Sequence, residues 1–212
     1  MITTEEFKKQ IAKPFGMEMR KHGFKGTGLE YFQKTEEYLV AVYIVPGRWG
    51  GSCFAGFAIH PKQINKNSIG KLNLGRLKIH EFEFKMGLSK NAGKRKWEYS
   101  DERNINFTTL SEILEAIKQT AFPVIEKFKA TPSILEKFDV SEMEKFHSNW
   151  KKRTGVSIAT TDTRFAWAMA VIFENKDLLK AKQFANWVTT QSLGKETKWF
   201  GYFDSKRILK KT

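Results

Sequence analysis

The chain has 212 residues, 41% of them hydrophobic and 14% aromatic, with a formal net charge of +14 from 37 Lys and Arg against 23 Asp and Glu. That apolar content can offset the entropy of ordering one substantial core, which excludes an intrinsically disordered chain. A single cysteine, Cys53, excludes an intramolecular disulfide framework and fits a reducing compartment, so the expected location is cytoplasmic.

Thr3 and Glu6 stand at capping-box spacing, and Phe7, Ile11, Phe15 and Met19 recur every four residues, which predicts a first helix. Pro14 should kink it, and Gly23 stands where a left-handed helix end is wanted. The start has acidic residues and no apolar leader, and the longest apolar run, "FAWAMAVIF" at 165–173, is too short for a bilayer crossing, so no membrane association is expected.

From residue 29 the period becomes that of strands. "LEYFQK" at 29–34, "YLVAVYIVP" at 38–46, "CFAGFAIHP" at 53–61 and "LKIHEFEFKM" at 77–86 are rich in β-branched and aromatic residues. Short breaks imply hairpins and antiparallel pairing. The two middle runs are apolar on both faces, so each side should be covered. A basic loop at 89–104 leads to a long helix for which Thr109 and Glu112 form a second capping-box pattern and Pro123 a bend.

The remainder reads as helical: "SILEKF" after Pro132, "SEMEKFHSNW" from Ser141, and an interrupted helix or helical hairpin over 162–190. The expected architecture is α+β, with an antiparallel sheet of about four strands packed with two long helices. Residues 1–130 form the α+β unit, and residues 131–212 form a helical C-terminal extension sharing its core.

A helix followed by Gly23, Phe24 and Lys25, a strand carrying Tyr31 and Phe32, and a strand closing over Gly56 to Pro61 resemble the bacterial family catalogued as domain of unknown function 4304. The resemblance covers roughly residues 5–130. It implies an α+β fold and supplies no assigned active site.

No phosphate-binding loop, dinucleotide fingerprint, nucleophile elbow, HExxH or CxxC occurs, so no catalytic residue and no cofactor is assigned. His60, His80 and Cys53 are the weak candidates for a metal or catalytic cluster, should neighbouring strands bring them together. The positive excess is concentrated in residues 61–99, at +7, and 161–212, at +5. "KRKWEY" at 94–99, "NWKKR" at 149–153 and "KWFGYF" at 198–203 set cations beside flat rings. Such mixtures contact phosphates and stack on bases, or anchor loops with a solvated rim.

The candidate binding residues are therefore Lys94, Arg95, Lys96, Trp97, Lys151, Lys152 and Arg153, joined by Arg48 and Trp49 in a glycine-bearing turn where a core needs neither. A non-enzymatic binding protein is the expectation, with an acidic protein partner ahead of nucleic acid. An enzyme acting on an anionic small molecule ranks third.

Overall fold

The computed structural model describes residues 2–67, 70–90, 95–191 and 199–212. Helix α1 (Thr4–Lys21) begins with the reciprocal cap: Thr3 Oγ1 accepts from the Glu6 amide at 3.2 Å, and the Glu6 carboxylate accepts from the Thr3 amide at 2.9 Å. Phe7, Ile11, Phe15 and Met19 face the core, and the helix continues through Pro14 as one element. Gly23, at φ 79°, takes the left-handed turn, with the Phe24 amide donating to the Met19 carbonyl at 3.1 Å.

The sheet is antiparallel throughout. Its order is β1 (Lys25–Thr27), β2 (Glu30–Lys34), β3 (Tyr38–Pro46), β4 (Ser52–Pro61) and β7 (Phe84–Gly87), with β8 (Trp97–Glu98) also on β4. A separate small hairpin joins β5 (Lys66–Asn67) and β6 (Gly70–Lys71). In the central register Leu39 faces His60, Ala41 faces Ala58, Tyr43 faces Gly56 and Val45 faces Phe54.

Because alternate residues point to opposite faces, one face of β3 and β4 presents Val40, Val42, Ile44, Cys53, Ala55, Phe57 and Ile59 to the main core. The other, outer face presents Leu39, Ala41 and Ala58 to a second cluster closed by Leu72, Leu77 and Phe82. Both faces are covered, but the second only along part of its length.

That second cover corrects the expected strand over 77–86. Residues Ile79–Glu81 form a 3-10 turn, in which the Glu81 carboxylate accepts from the Lys78 amide at 2.7 Å, and the strand occupies only Phe84–Gly87. A local side-chain acceptor takes the donor that a ladder would have used, and the turn leaves Leu77 and Phe82 free to pack on the sheet.

The next helix, α2 (Arg103–Ala116), also starts before the expected Thr109 cap. Thr109 instead donates its hydroxyl to the Glu98 carbonyl at 2.6 Å, tying the helix to β8. A π-helical turn, Ile117–Ala121, precedes α3 (Phe122–Lys129), so the interruption falls one turn ahead of Pro123. Pro123, which has no amide to donate, follows on that π-helical turn, and the helical backbone runs through it into α3.

After Pro132, residues 134–137 form a turn rather than the expected helix. A 3-10 segment, Val140–Lys145, leads into α4 (Phe146–Thr154). Helices α5 (Asp162–Phe173) and α6 (Leu178–Thr190) form the hairpin alternative, with Asp177 capping α6 by accepting from the Lys180 amide at 3.0 Å. The final helix is α7 (Phe200–Leu209).

An aromatic cluster fastens these helices to the sheet: Phe84 of β7 lies 5.6 Å from Phe165 and 6.4 Å from Trp150 between ring centroids. The pairing of Met86 with Ile158 and the Ala159 amide donating to the Lys85 carbonyl at 2.8 Å cover part of the β7 edge. Buried Glu83, just before β7, receives a bidentate pair from Arg164 of α5 at 2.7 and 2.9 Å.

Candidate interaction surface

The turn from β3 to β4 is built by glycines. Gly50 and Gly51 adopt φ 78° and 73°, and the Gly47 amide donates to the Ser52 carbonyl at 2.7 Å, closing the hairpin. Its base is held from two sides: Thr4 Oγ1 donates to the Gly47 carbonyl at 3.1 Å, and the Tyr99 amide donates to the Gly51 carbonyl at 3.1 Å. The Tyr99 ring stacks on Phe7 of α1 at 3.9 Å, so the support reaches the core.

On that fixed base Trp49 is 85% exposed, and the Arg48 guanidinium lies 5.1 Å from the centre of its ring. A cation over an indole is attracted by the ring quadrupole, which gives the pair a shared orientation while both remain in solvent.

The outer sheet face continues the apolar surface. Val45 and Phe54 are cross-strand partners and are 48% and 41% exposed. Tyr43 lies next to them across Gly56, where a Cβ would come within 2.7 Å of the Tyr43 hydroxyl. The Lys96 ammonium sits 5.7 Å from the Phe54 ring centre. Exposed Arg95 precedes it, and among the described residues Arg48, Arg95 and Lys96 have no carboxylate partner. Glu98 and Glu30 are the exposed carboxylates on the neighbouring strands.

The remaining sequence candidates do not join this surface as anticipated. Trp97 is fully buried opposite Cys53, so the ring between Lys96 and Glu98 is a core residue and not a stacking platform. Strand alternation explains it: Lys96 and Glu98 point out, and Trp97 must point in. Lys94 lies outside the described residues.

At 149–153 Trp150 is likewise buried, Lys151 and Lys152 are exposed, and Arg153 makes a bidentate pair with Glu142 at 3.0 and 2.7 Å. The third segment loses Lys198 to the undescribed residues, and its Trp199 packs edge-on against Trp167 at 6.0 Å.

His60, His80 and Cys53 do not converge. Cys53 and His60 are seven residues apart on one strand, on opposite faces and about 23 Å apart at ~3.3 Å per residue. The His60 ring Nε2 donates to the Ile64 carbonyl at 2.7 Å, and Nδ1 accepts from the Glu83 amide at 3.2 Å. Those two bonds hold a neutral imidazole, and burial pushes its pKa below the ordinary value. His80 is exposed. Burial raises the Cys53 thiol to about 12, far from a nucleophile or metal ligand. Among the described residues no group of three His, Cys, Asp or Glu side chains could hold a metal ion.

Val45 and Phe54 were not among the residues singled out from sequence. Their signal was present in the two apolar faces of β3 and β4, but which part of the outer face stays bare depends on where residues 72–82 fold back. Among the described residues no helix is long and apolar enough to cross a membrane.

Neither a curated protein nor a solved structure matches the chain. A family model does, over residues 15–127, from the second half of α1 through the sheet to the last turn of α3. With its helix-to-strand step at Gly23–Lys25, its Tyr31–Phe32 strand and its Gly56–Pro61 strand all inside that match, the chain belongs to the family described as Domain of unknown function (DUF4304).

Proposed function

We propose that the protein is a non-enzymatic binding module that holds an acidic protein partner against the β3–β4 hairpin tip and the bare end of the outer sheet face. The observation that carries this reading is Trp49, 85% exposed at the tip of a hairpin whose base is tied to α1 and to Tyr99. An aromatic ring on a rigid support contributes contact area at small entropic cost, the usual property of an interface anchor.

Val45 and Phe54 add an apolar centre, and Arg48, Arg95 and Lys96 add a cationic border, the arrangement of a protein interface with a polar rim. The partner's sign follows from those cations and from the +14 charge of the chain, which would steer an anionic partner during encounter. Nucleic acid is less favoured, because the rings of two basic segments, Trp97 and Trp150, are buried and leave no row of stacking faces.

The test compares the wild-type chain with R48E/W49A as affinity baits in the cells that carry the gene, beside titrations with 20-nucleotide single-stranded and duplex DNA over a salt series. The expected result is a stoichiometric protein of net negative charge, retained by wild type and lost at least tenfold by the variant. Equal recovery by both baits overturns the reading. So does tight nucleic-acid binding with a steep salt dependence, which would transfer the surface to the nucleic-acid class.

A further inference from the structure

At the opposite end of the same sheet face, residues 72–82 do not close flush on the strands. They leave a cavity of about 250 Å³ whose apolar walls are Phe32 and Leu39 from the sheet and Leu74, Leu77 and Phe82 from the covering segment. The walls are set by the core rather than by mobile side chains: Leu39, Leu77 and Phe82 are buried, and the Phe82 ring is fixed between Phe32 at 6.2 Å and the His60 imidazole at 5.9 Å. His60 is itself held by its bonds to Ile64 and Glu83.

Two exposed cations, Lys34 and Arg76, line the mouth of this cavity, and no carboxylate lines it. Among the described residues neither Lys34 nor Arg76 has an acidic partner, so both charges face solvent at the cavity. Apolar walls bounded by two unpaired cations are complementary to a molecule with an apolar body and one anionic end. At ~30 Å³ per water-sized group the space holds about eight such groups, hence a body on the order of ten non-hydrogen atoms.

We infer that this cavity is a binding site for a small amphipathic anion, an aryl or short-chain alkyl group ending in a carboxylate or phosphate. The apolar end lies between Phe32, Phe82 and Leu77, and the anionic end meets Lys34 and Arg76. Arg76 can present two parallel donors to either head group, whereas Lys34 supplies a point charge. Leu39 in its wall lies six residues, or ~20 Å, along β3 from Val45, and the hairpin tip lies beyond, so the site stands independently of the protein-binding surface there.

The probes are 4-phenylbutyrate, 4-phenylbutyl phosphate and the uncharged 4-phenylbutanol, titrated against the full chain while the methyl resonances of Leu39, Leu74 and Leu77 are followed by NMR. The expected result is saturable shifts at those methyls, with one or both anions binding at least tenfold tighter than the alcohol. The tighter of the two identifies the head group.

K34Q and R76Q, both at exposed positions that leave the walls intact, should each weaken the anions about fivefold and leave the alcohol unchanged. Equal affinity for acid and alcohol, charge variants that change nothing, shifts centred elsewhere, or no saturable shift would each overturn the inference. None of these variants touches Arg48 or Trp49, so failure here is distinguishable from failure of the hairpin-tip reading.

Discussion

The outer face of the sheet can be compared with itself, end against end. Around Leu39, Ala41 and Ala58 it is covered by Leu72, Leu77 and Phe82, whereas around Val45 and Phe54 it is left in solvent beside Trp49 and Lys96. The strands are equally apolar at both ends, so side-chain type does not decide which end is buried. The length and path of the connection between β4 and β7 decide it: that segment reaches back over one end and stops. An apolar residue left bare by such a boundary is a candidate for intermolecular contact, while the same residue beneath the connection is core.

Deleting a covering ring should give the largest effect. Phe82→Ala removes the centre of the outer cluster, and Trp97→Ala empties the core site beside Cys53. Each is expected to cost about 3–5 kcal/mol in denaturant unfolding, the range for large core truncations. A loss below ~1 kcal/mol for Phe82→Ala would mean that the 72–82 segment does not seal this end.

Arg164→Ala should come next. It strands the buried Glu83 carboxylate between sheet and α5, at a cost of about 3 kcal/mol. Arg164→Lys, which keeps charge but not the bidentate fork, should recover part of that loss.

A smaller effect is expected from acid. The Arg207 hydrogen bond, with help from Lys211, holds the Glu174 carboxyl at about 2 against an ordinary 4.5. The Lys118 and Lys21 hydrogen bonds do the same for Glu18. A carboxyl with a depressed folded-state pKa contributes stability that is complete above its unfolded value and is lost as pH falls toward the folded one. Thermal melts should therefore be insensitive to pH near 7, where the contribution of these pairs is complete, and stability should decline as pH falls between about 4.5 and 2. Glu174→Gln should flatten that decline; an unchanged acid slope in the variant would remove Glu174 from the account.

The smallest stability effect should come from the most conspicuous ring. Trp49→Ala is expected to change unfolding free energy by less than about 0.5 kcal/mol, as for an exposed residue outside the core. Set against Trp97→Ala, this pair of measurements separates a ring that holds the fold from one free to hold a partner.

The sequence made much of this readable where local rules dominate. The Thr3–Glu6 cap, the apolar stripe of α1, the left-handed Gly23 and the β3–β4 pair all follow from spacing and turn chemistry. Local rules misled at Thr109, whose hydroxyl serves β8 rather than a helix start, and over 77–86, where Glu81 caps a turn inside an alternating pattern.

Arg48 and Trp49 were legible as a site because a glycine turn exposes whatever it carries. Trp97 misled because its neighbours are basic, while its own direction is set by pairing with Cys53, 44 positions earlier in the chain. Val45, Phe54, Lys34 and Arg76 acquire their surroundings only from where residues 72–82 come to rest, which no short window of sequence contains.

The central claim, that the bare end of the outer face is where a partner sits, is tested most directly by photo-crosslinking in the cells that carry the gene. Benzoylphenylalanine would replace Val45, Trp49 or Phe54 in turn, with Leu179 of α6, 72% exposed and away from this face, as the control. The account predicts that one and the same acidic protein is captured from all three sheet and hairpin positions and not from 179. Capture from 179 at equal yield, or no adduct from any of the three, would contradict it.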